Sequence, residues 1–165
     1  DIPGTVVVQH MPPKFTEMYA NRLDSPCRVK VREAKNGDIV AKGEVLIAPG
    51  GDEQMSVVKI ADNYQVVLKK GERVNGHCPS VDVLFNSVAE AAGSHAIGII
   101  LTGMGRDGAK GLLKMKKAGA RTIGQDESTC VVYGMPKAAY DIGAVMYQEK
   151  LQSIAPKTYK LINQG

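Results

Sequence analysis

Apolar positions recur along the chain in short runs that alternate with helical stripes. Residues 96–115, AIGIILTGMGRDGAKGLLKM, show the unit most plainly. Ala96 to Leu101 is a continuous apolar run containing Ile97, Ile99 and Ile100, the pattern of a strand covered on both faces. Thr102 to Gly108 is a turn punctuated by Gly103, Gly105 and Gly108. From Ala109, apolar Leu112, Leu113 and Met115 alternate with Lys110, Lys114, Lys116 and Lys117 in a helical period. Strand, glycine turn and helix together form the corner at which α/β sheets carry ligands.

The remaining elements follow the same reading. Thr5 to Gln9 (TVVVQ) is β-branched and predicts a buried strand, with His10 at its C-terminal end. Pro12-Pro13 stops strand pairing and suits a helix start. Phe15, Met18, Tyr19 and Leu23 then share one helical face as far as Asp24. Residues 28–70 are β-rich: RVKVR at 28–32, a turn at Asn36-Gly37-Asp38, a short strand at 45–48, and a hairpin of 55–60 with 65–68 around Ala61-Asp62-Asn63-Tyr64. This stretch is expected to be a small β insertion within one domain. After a polar loop at 69–79, Ser80 is suited to cap a helix whose stripe is Val81, Leu84, Phe85, Val88, Ala91 and Ala92. Beyond the glycine corner the pattern predicts a strand at 121–124, a loop at 125–134 and a helix from Pro136 to Ile142. A strand at 144–146 and a helix at 149–163, interrupted at Pro156, complete the chain. The alternation predicts an α/β fold: a doubly wound, mostly parallel sheet with helices on both faces and a small β-rich insert. Ligands of such sheets sit beyond the C-terminal strand ends. His10 and Asp107 each follow a predicted strand, and the topology allows one rim for both.

Composition narrows the class. Apolar residues make up 44% of the 165 positions, so the chain is globular, and without Trp its core must be built from Val, Ile, Leu, Ala and Met. The net charge of +4 is spread over scattered lysines with no basic run interleaved with aromatics. That argues against nucleic-acid binding and leaves room for an acidic partner. Cys27, Cys78 and Cys130 lie far apart, which disfavours a disulfide framework or a zinc site and fits a reducing compartment. No apolar run is long enough to span a bilayer, so no membrane insertion is expected.

The candidate chemistry centres on His10 and Asp107. An imidazole oriented by a carboxylate is two-thirds of a hydrolytic triad, and the N–H of Met104 or Gly105 in the glycine turn could face a developing oxyanion. The same residues have plainer readings. Asp107 stands where helix-capping aspartates are common, and His10 before Met-Pro-Pro suits a turn histidine. Arg106 is either a solvated charge or a clamp for an acidic group. His77 and His95 have no partner that spacing identifies. GMGRDG does not complete a dinucleotide fingerprint, and no Walker lysine follows it. A nucleophile is not evident either. There is no GxSxG elbow; Ser80, Ser87, Ser128 and Thr129 carry no signature, and Cys130 reads more simply as an inert thiol.

Five collinear motifs carry a resemblance: VVVQHMPPKFT, VLIAPGG, VNGHCPSVDVLF, GIILTGMGRDGAKGL and QDESTCVVYGMPKAA. Together, from about Thr5 to Ala144, they resemble the catalytic domain of the chemotaxis receptor methylesterase family (CheB). The resemblance implies a cytoplasmic protein-glutamate methylesterase and protein-glutamine deamidase of doubly wound α/β fold. It implies a Ser-His-Asp triad without metal or other cofactor, acting on the helical bundles of methylated chemoreceptors during adaptation. It assigns the triad histidine to His10, the triad aspartate to Asp107 and an oxyanion-hole amide to Met104; Arg106 becomes a candidate contact to the receptor. The family's serine lies in a GASTGG-like turn upstream of the QHMP strand. Residues 1–165 are therefore expected to be the catalytic domain without its first strand and serine turn, and without the N-terminal receiver domain. On that expectation they do not perform the triad reaction alone, and loss of the strand exposes a sheet edge. Two other classes stay open: a non-catalytic receptor-binding fragment of the same family, and a phosphate or nucleotide site at the 103–108 turn.

Overall fold

The computed structural model describes residues 2–164. The chain divides into two compact units, Asp1–Ser87 and Val88–Gly165.

In the first unit, β1 (Thr5–Val7), β2 (Lys30–Glu33) and β3 (Glu44–Ile47) form a parallel sheet in the order β1-β3-β2. Val6 lies opposite Leu46 and Val31 opposite Val45. The central strand is the most deeply covered, with Leu46 and Ile47 buried. Helix α1 (Phe15–Asp24) packs Ala20 against Val31 and Ile47, with Val7, Tyr19 and Leu23 around them. The predicted first strand is trimmed from Gln9 to Val7, for a reason visible in its partner. The Val7 carbonyl accepts the Ala48 N–H at 2.8 Å. The next residue, Pro49, has no N–H to give, and the Gly50 N–H goes instead to Thr16 Oγ1 at 2.9 Å.

The β-rich stretch splits in a way its pattern did not predict. β2 and β3 belong to the parallel sheet, and only β4 (Glu53–Ile60) and β5 (Asn63–Lys70) form an antiparallel insert. Their turn is two residues long, with Ala61 in the left-handed region at φ 53°. Residues 36–40 run beside β5, where Gly37 N–H meets the Val66 carbonyl and Val66 N–H the Asp38 carbonyl, both at 2.8 Å. Helix α2 (Val81–Ala92) buries Val81 and Leu84, and its Ser87 Oγ accepts the Val57 N–H at 2.9 Å.

A charge cluster ties β2 to β3 and to the turn between them. Arg32 donates to Asp38 at 2.7 Å and to both oxygens of Glu44 at 3.1 Å, while the Lys35 N–H reaches Asp38 at 2.7 Å. Burial alone would raise the Asp38 carboxyl. The hydrogen bonds from Arg32 and the Lys35 N–H, with the Arg32 charge, outweigh burial and hold it below the ordinary aspartate value. A carboxyl with a depressed folded pKa stabilises the fold above its unfolded value, near 4, and loses that stabilisation as pH falls through the folded value. Asp38→Asn is therefore expected to cost about 1–2 kcal/mol in urea unfolding at pH 7. The gap from wild type should close as the pH is lowered below about 4; a gap that persists unchanged at pH 3 contradicts the assignment.

In the second unit, β6 (Ile97–Ile100), β7 (Arg121–Gln125) and β8 (Tyr147–Glu149) form a parallel sheet in the order β6-β7-β8. Helix α5 (Leu151–Gln164) lays Ile154 and Leu161 on Ile123, flanked by Ile97, Ile99 and Tyr147. Gly98 points to the opposite face, where α3 (Ala109–Lys117) docks. A Cβ at Gly98 would stand 2.6 Å from Leu112 Cδ1, so the glycine is what lets α3 approach. Helix α4 (Met135–Asp141) buries Met135 and Ala139. Helix α5 runs through Pro156 without a break.

The last strand falls at Tyr147–Glu149, three residues later than the apolar Ala144–Met146 run suggests. That run is buried at Ala144, but its backbone is held by a side chain. Thr122 Oγ1 donates to the Ala144 carbonyl and accepts the Met146 N–H at 3.0 Å. Strand-like composition is present there without a strand ladder. Among the described residues no helix is long and apolar enough to cross a membrane.

Candidate active site

His10 lies three residues beyond β1 in the first unit, half-buried on the wall of an open pocket of about 320 Å³. Met11, Pro12, Pro13, Arg73, His77 and Cys78 share that lining. The Met11–Pro12 segment is pressed against Gly50, where a Cβ would come within 2.6 Å of the Pro12 carbonyl carbon. Only a residue without a side chain allows the β3–β4 connection to support His10 so closely.

His77, which spacing alone did not connect to anything, stacks on His10. The ring centroids are 3.6 Å apart and the planes differ by 4°. The loop that presents His77 is built by Asn75-Gly76, both left-handed at φ 54° and 80°. Such a dipeptide closes a two-residue hairpin turn, and Val74 and His77 exchange backbone hydrogen bonds of 2.9 Å across it. The signal was present in the sequence as Val-Asn-Gly-His. What it lacked was any indication that this hairpin reaches the end of β1. Burial, reinforced by Asp52 against the opposing effect of Arg73, pushes the neighbouring Cys78 thiol up. Cys78 therefore stays protonated at neutral pH and is a poor nucleophile.

Met104, Arg106 and Asp107 sit together in the turn between β6 and α3 of the second unit. Its first half is clamped to the segment before α4. Gly103 N–H donates to the Val132 carbonyl at 3.1 Å and the Gly103 carbonyl accepts Met135 N–H at 2.8 Å. Thr102 N–H donates to Gln125 Oε1 at 2.8 Å, and its hydroxyl exchanges hydrogen bonds with the Val132 backbone. Gly105, at φ 89°, then reverses the chain. Among the described residues neither the Met104 nor the Gly105 N–H donates to another backbone group. The Met104 side chain is 77% exposed, Arg106 is exposed, and Asp107 is 1% exposed. Helix α3 starts at Ala109, with Gly108 rather than Asp107 in the capping position, at φ 98°.

Gly134 makes the clamp possible. A Cβ there would lie 2.6 Å from the Gly103 carbonyl oxygen, 3.0 Å from Gly105 N and 3.2 Å from Met104 Cα. Gly134→Ala is expected to displace this turn and destabilise the protein by about 1–3 kcal/mol, read as a lowered urea midpoint. An unchanged midpoint would mean that the turn is not held against Gly134.

Ser80, Ser87, Ser128, Thr129 and Cys130, the hydroxyls and thiol that the sequence offers near the motifs, are poorly disposed as nucleophiles. Ser80 is fully buried. Ser87 Oγ donates to the Leu84 carbonyl while accepting from Val57. Ser128 and Thr129 both donate to Asp126, whose carboxyl is lowered by those hydrogen bonds. Burial pushes the Cys130 thiol up, more than its hydrogen bond with Thr102 lowers it. His95 is exposed at the end of the short 3-10 turn Gly93–His95. Among the described residues no group of three or more His, Cys, Asp or Glu side chains is placed to hold a metal ion.

Comparison with known proteins agrees with this architecture. The crystal structure of the Thermotoga maritima CheB methylesterase catalytic domain matches with a TM-score of 0.93 at 41% identity, covering 97% of this chain and 85% of that one. The doubly wound α/β fold expected from the alternation of elements is thereby established. The protein-glutamate methylesterase/protein-glutamine glutaminase 2 of Syntrophomonas wolfei is 64% identical over 164 residues, 99% of this chain and 48% of that protein. A protein of the corresponding name from Caulobacter vibrioides is 56% identical over 152 residues, 92% of this chain and 44% of that protein. The chain thus spans about half the length of the curated relatives it matches. With the CheB methylesterase family model matching residues 1–158, the chain belongs to the CheB methylesterase family.

Proposed function

We propose that this chain forms the catalytic portion of an enzyme that hydrolyses glutamate methyl esters, and deamidates glutamines, on chemotaxis receptors. The observation that carries the reading is the similarity to proteins of that name across 99% of the chain. The site geometry supports it: a histidine at an open pocket beyond β1, and a glycine turn beyond β6 in which, among the described residues, the Met104 and Gly105 N–H groups donate to no other backbone group.

The proposed route uses no metal and no organic cofactor. A serine supplied by the protein upstream of residue 1 attacks the ester carbonyl, with His10 taking its proton. Asp107 accepts from the other ring nitrogen and keeps His10 in the competent tautomer. The Met104 N–H, with Gly105 beside it, stabilises the oxyanion. His10 returns the proton to the leaving methoxide, which departs as methanol. Water then cleaves the acyl-enzyme with His10 again as base. A glutamine side chain follows the same route and releases ammonia.

Charge distribution fits an acidic helical receptor as partner. Residues 88–165 hold ten Lys and Arg against six Asp and Glu, whereas residues 1–87 hold eleven of each. The whole net charge of +4 therefore lies on the unit that carries Arg106, which we assign to receptor contact. The greater length of the relatives supports a further domain, which the reading takes to be a receiver that regulates the site. The test is methanol release from a methylated receptor cytoplasmic fragment by the full-length protein. Turnover is expected; receptor binding without methanol would identify a docking module instead.

A further inference from the structure

We propose that His77 is a positioning residue for His10, holding the plane of its imidazole through face-to-face stacking. The inference rests on the proposed role of His10. A histidine ring turns about its Cβ–Cγ bond in a broad, shallow potential, so a base that must aim one edge nitrogen needs something to fix its plane. His10 lies past the last ladder bond of β1, with Met11-Pro12-Pro13 after it. Neither a helix nor a strand orients it. A parallel ring 3.6 Å away does, because rotation of His10 out of plane would drive its edge into the His77 face. The stack covers a face of the ring and not its edge, where the nitrogens lie.

His77 is itself held firmly enough to serve as a platform. Its backbone is closed into the Asn75-Gly76 turn by the two bonds with Val74. Its carbonyl accepts from Gln54 Nε2 at 3.2 Å. Gln54 is buried, also donates to the Glu72 carbonyl at 2.9 Å, and accepts the Ser80 N–H at 2.8 Å. One buried side chain on β4 thus pins both ends of the loop that presents the ring. Arg73, which donates to the Gly76 carbonyl at 3.2 Å, adds a third tie.

The experiment compares His77→Phe, which keeps a flat face, with His77→Ala, which removes it, in the full-length protein. Methanol release gives kcat and KM, and proton NMR of the His10 ring reports the stack directly. In wild type the His10 ring protons should be shifted upfield by the neighbouring ring current. His77→Ala should abolish that shift and lower kcat about 10–100-fold with KM nearly unchanged, as expected for a misaimed reacting group. His77→Phe should preserve the shift and most of kcat. The proposal is overturned if kcat survives in His77→Ala while His10→Ala is inactive. It is also overturned if His77→Phe is as slow as His77→Ala, since an imidazole nitrogen would then be what matters. Full turnover in His10→Ala brings down the esterase reading itself, a separate outcome.

Discussion

His10→Ala in the full-length protein is expected to lower kcat for methanol release by about four to six orders of magnitude with little change in KM. The size of the effect follows from the number of proton transfers the imidazole carries. On the proposed route it removes the serine proton, returns it to methoxide, and repeats both tasks with water. None of these contributes to holding the receptor, so KM should stay near its wild-type value. The surroundings allow a clean measurement, since His10 is half-buried and lies outside β1 and α1. A loss of only a few-fold would leave His10 as the turn histidine that its Met-Pro-Pro context suggests.

Asp107→Asn is expected to lower kcat by about 10⁴-fold while leaving the unfolding midpoint nearly unchanged. The substitution separates two roles that the sequence left open. Asparagine caps helices as well as aspartate does, so if Asp107 only served the start of α3, the variant would be both stable and active. If Asp107 orients His10, the amide presents the wrong hydrogen-bonding pattern and selects the wrong tautomer. The 1% exposure of Asp107 makes the near-isosteric exchange the appropriate one, because truncation to Ala would leave a hole as well. Activity within a few-fold of wild type would confine Asp107 to a structural role.

Much of this architecture could be read from hydrophobic periodicity. The β6–turn–α3 corner falls at Ile97–Ile100 and Ala109–Lys117, within a residue or so of its pattern. Isoleucines in a covered strand and lysines on one helical face are local properties, and local properties are legible. What escaped was partnership. The short runs at 30–33 and 44–47 look no different from the strands of the β4–β5 hairpin, yet they pair in parallel with β1. A four-residue strand does not encode which neighbour it finds. The Ala144–Met146 run misled for a related reason: burial and branching suggest a ladder, but a single Thr122 hydroxyl occupies its backbone groups.

The candidate site divides along the same line. Glycine turns, a histidine after a strand and an aspartate before a helix were visible as residue types in order. Their chemical assignment came from five motifs taken together, because each alone has a plain structural explanation. Spacing identifies no partner for His77, although the Asn75-Gly76 dipeptide that turns the chain before it is written in the sequence. A turn dipeptide specifies a hairpin, whereas the contact of that hairpin with residues 67 positions earlier is a tertiary fact.

The claim at the centre is that His10 and Asp107 act as one catalytic unit. The most direct measurement is kcat for methanol release by the double variant His10→Ala/Asp107→Asn, set beside the two single variants. Residues of one triad are strongly non-additive, since removing the base leaves nothing for the orienting carboxylate to act on. The account predicts that the double variant turns over at about the rate of His10→Ala alone. A double variant slower by the product of the two single losses would contradict it.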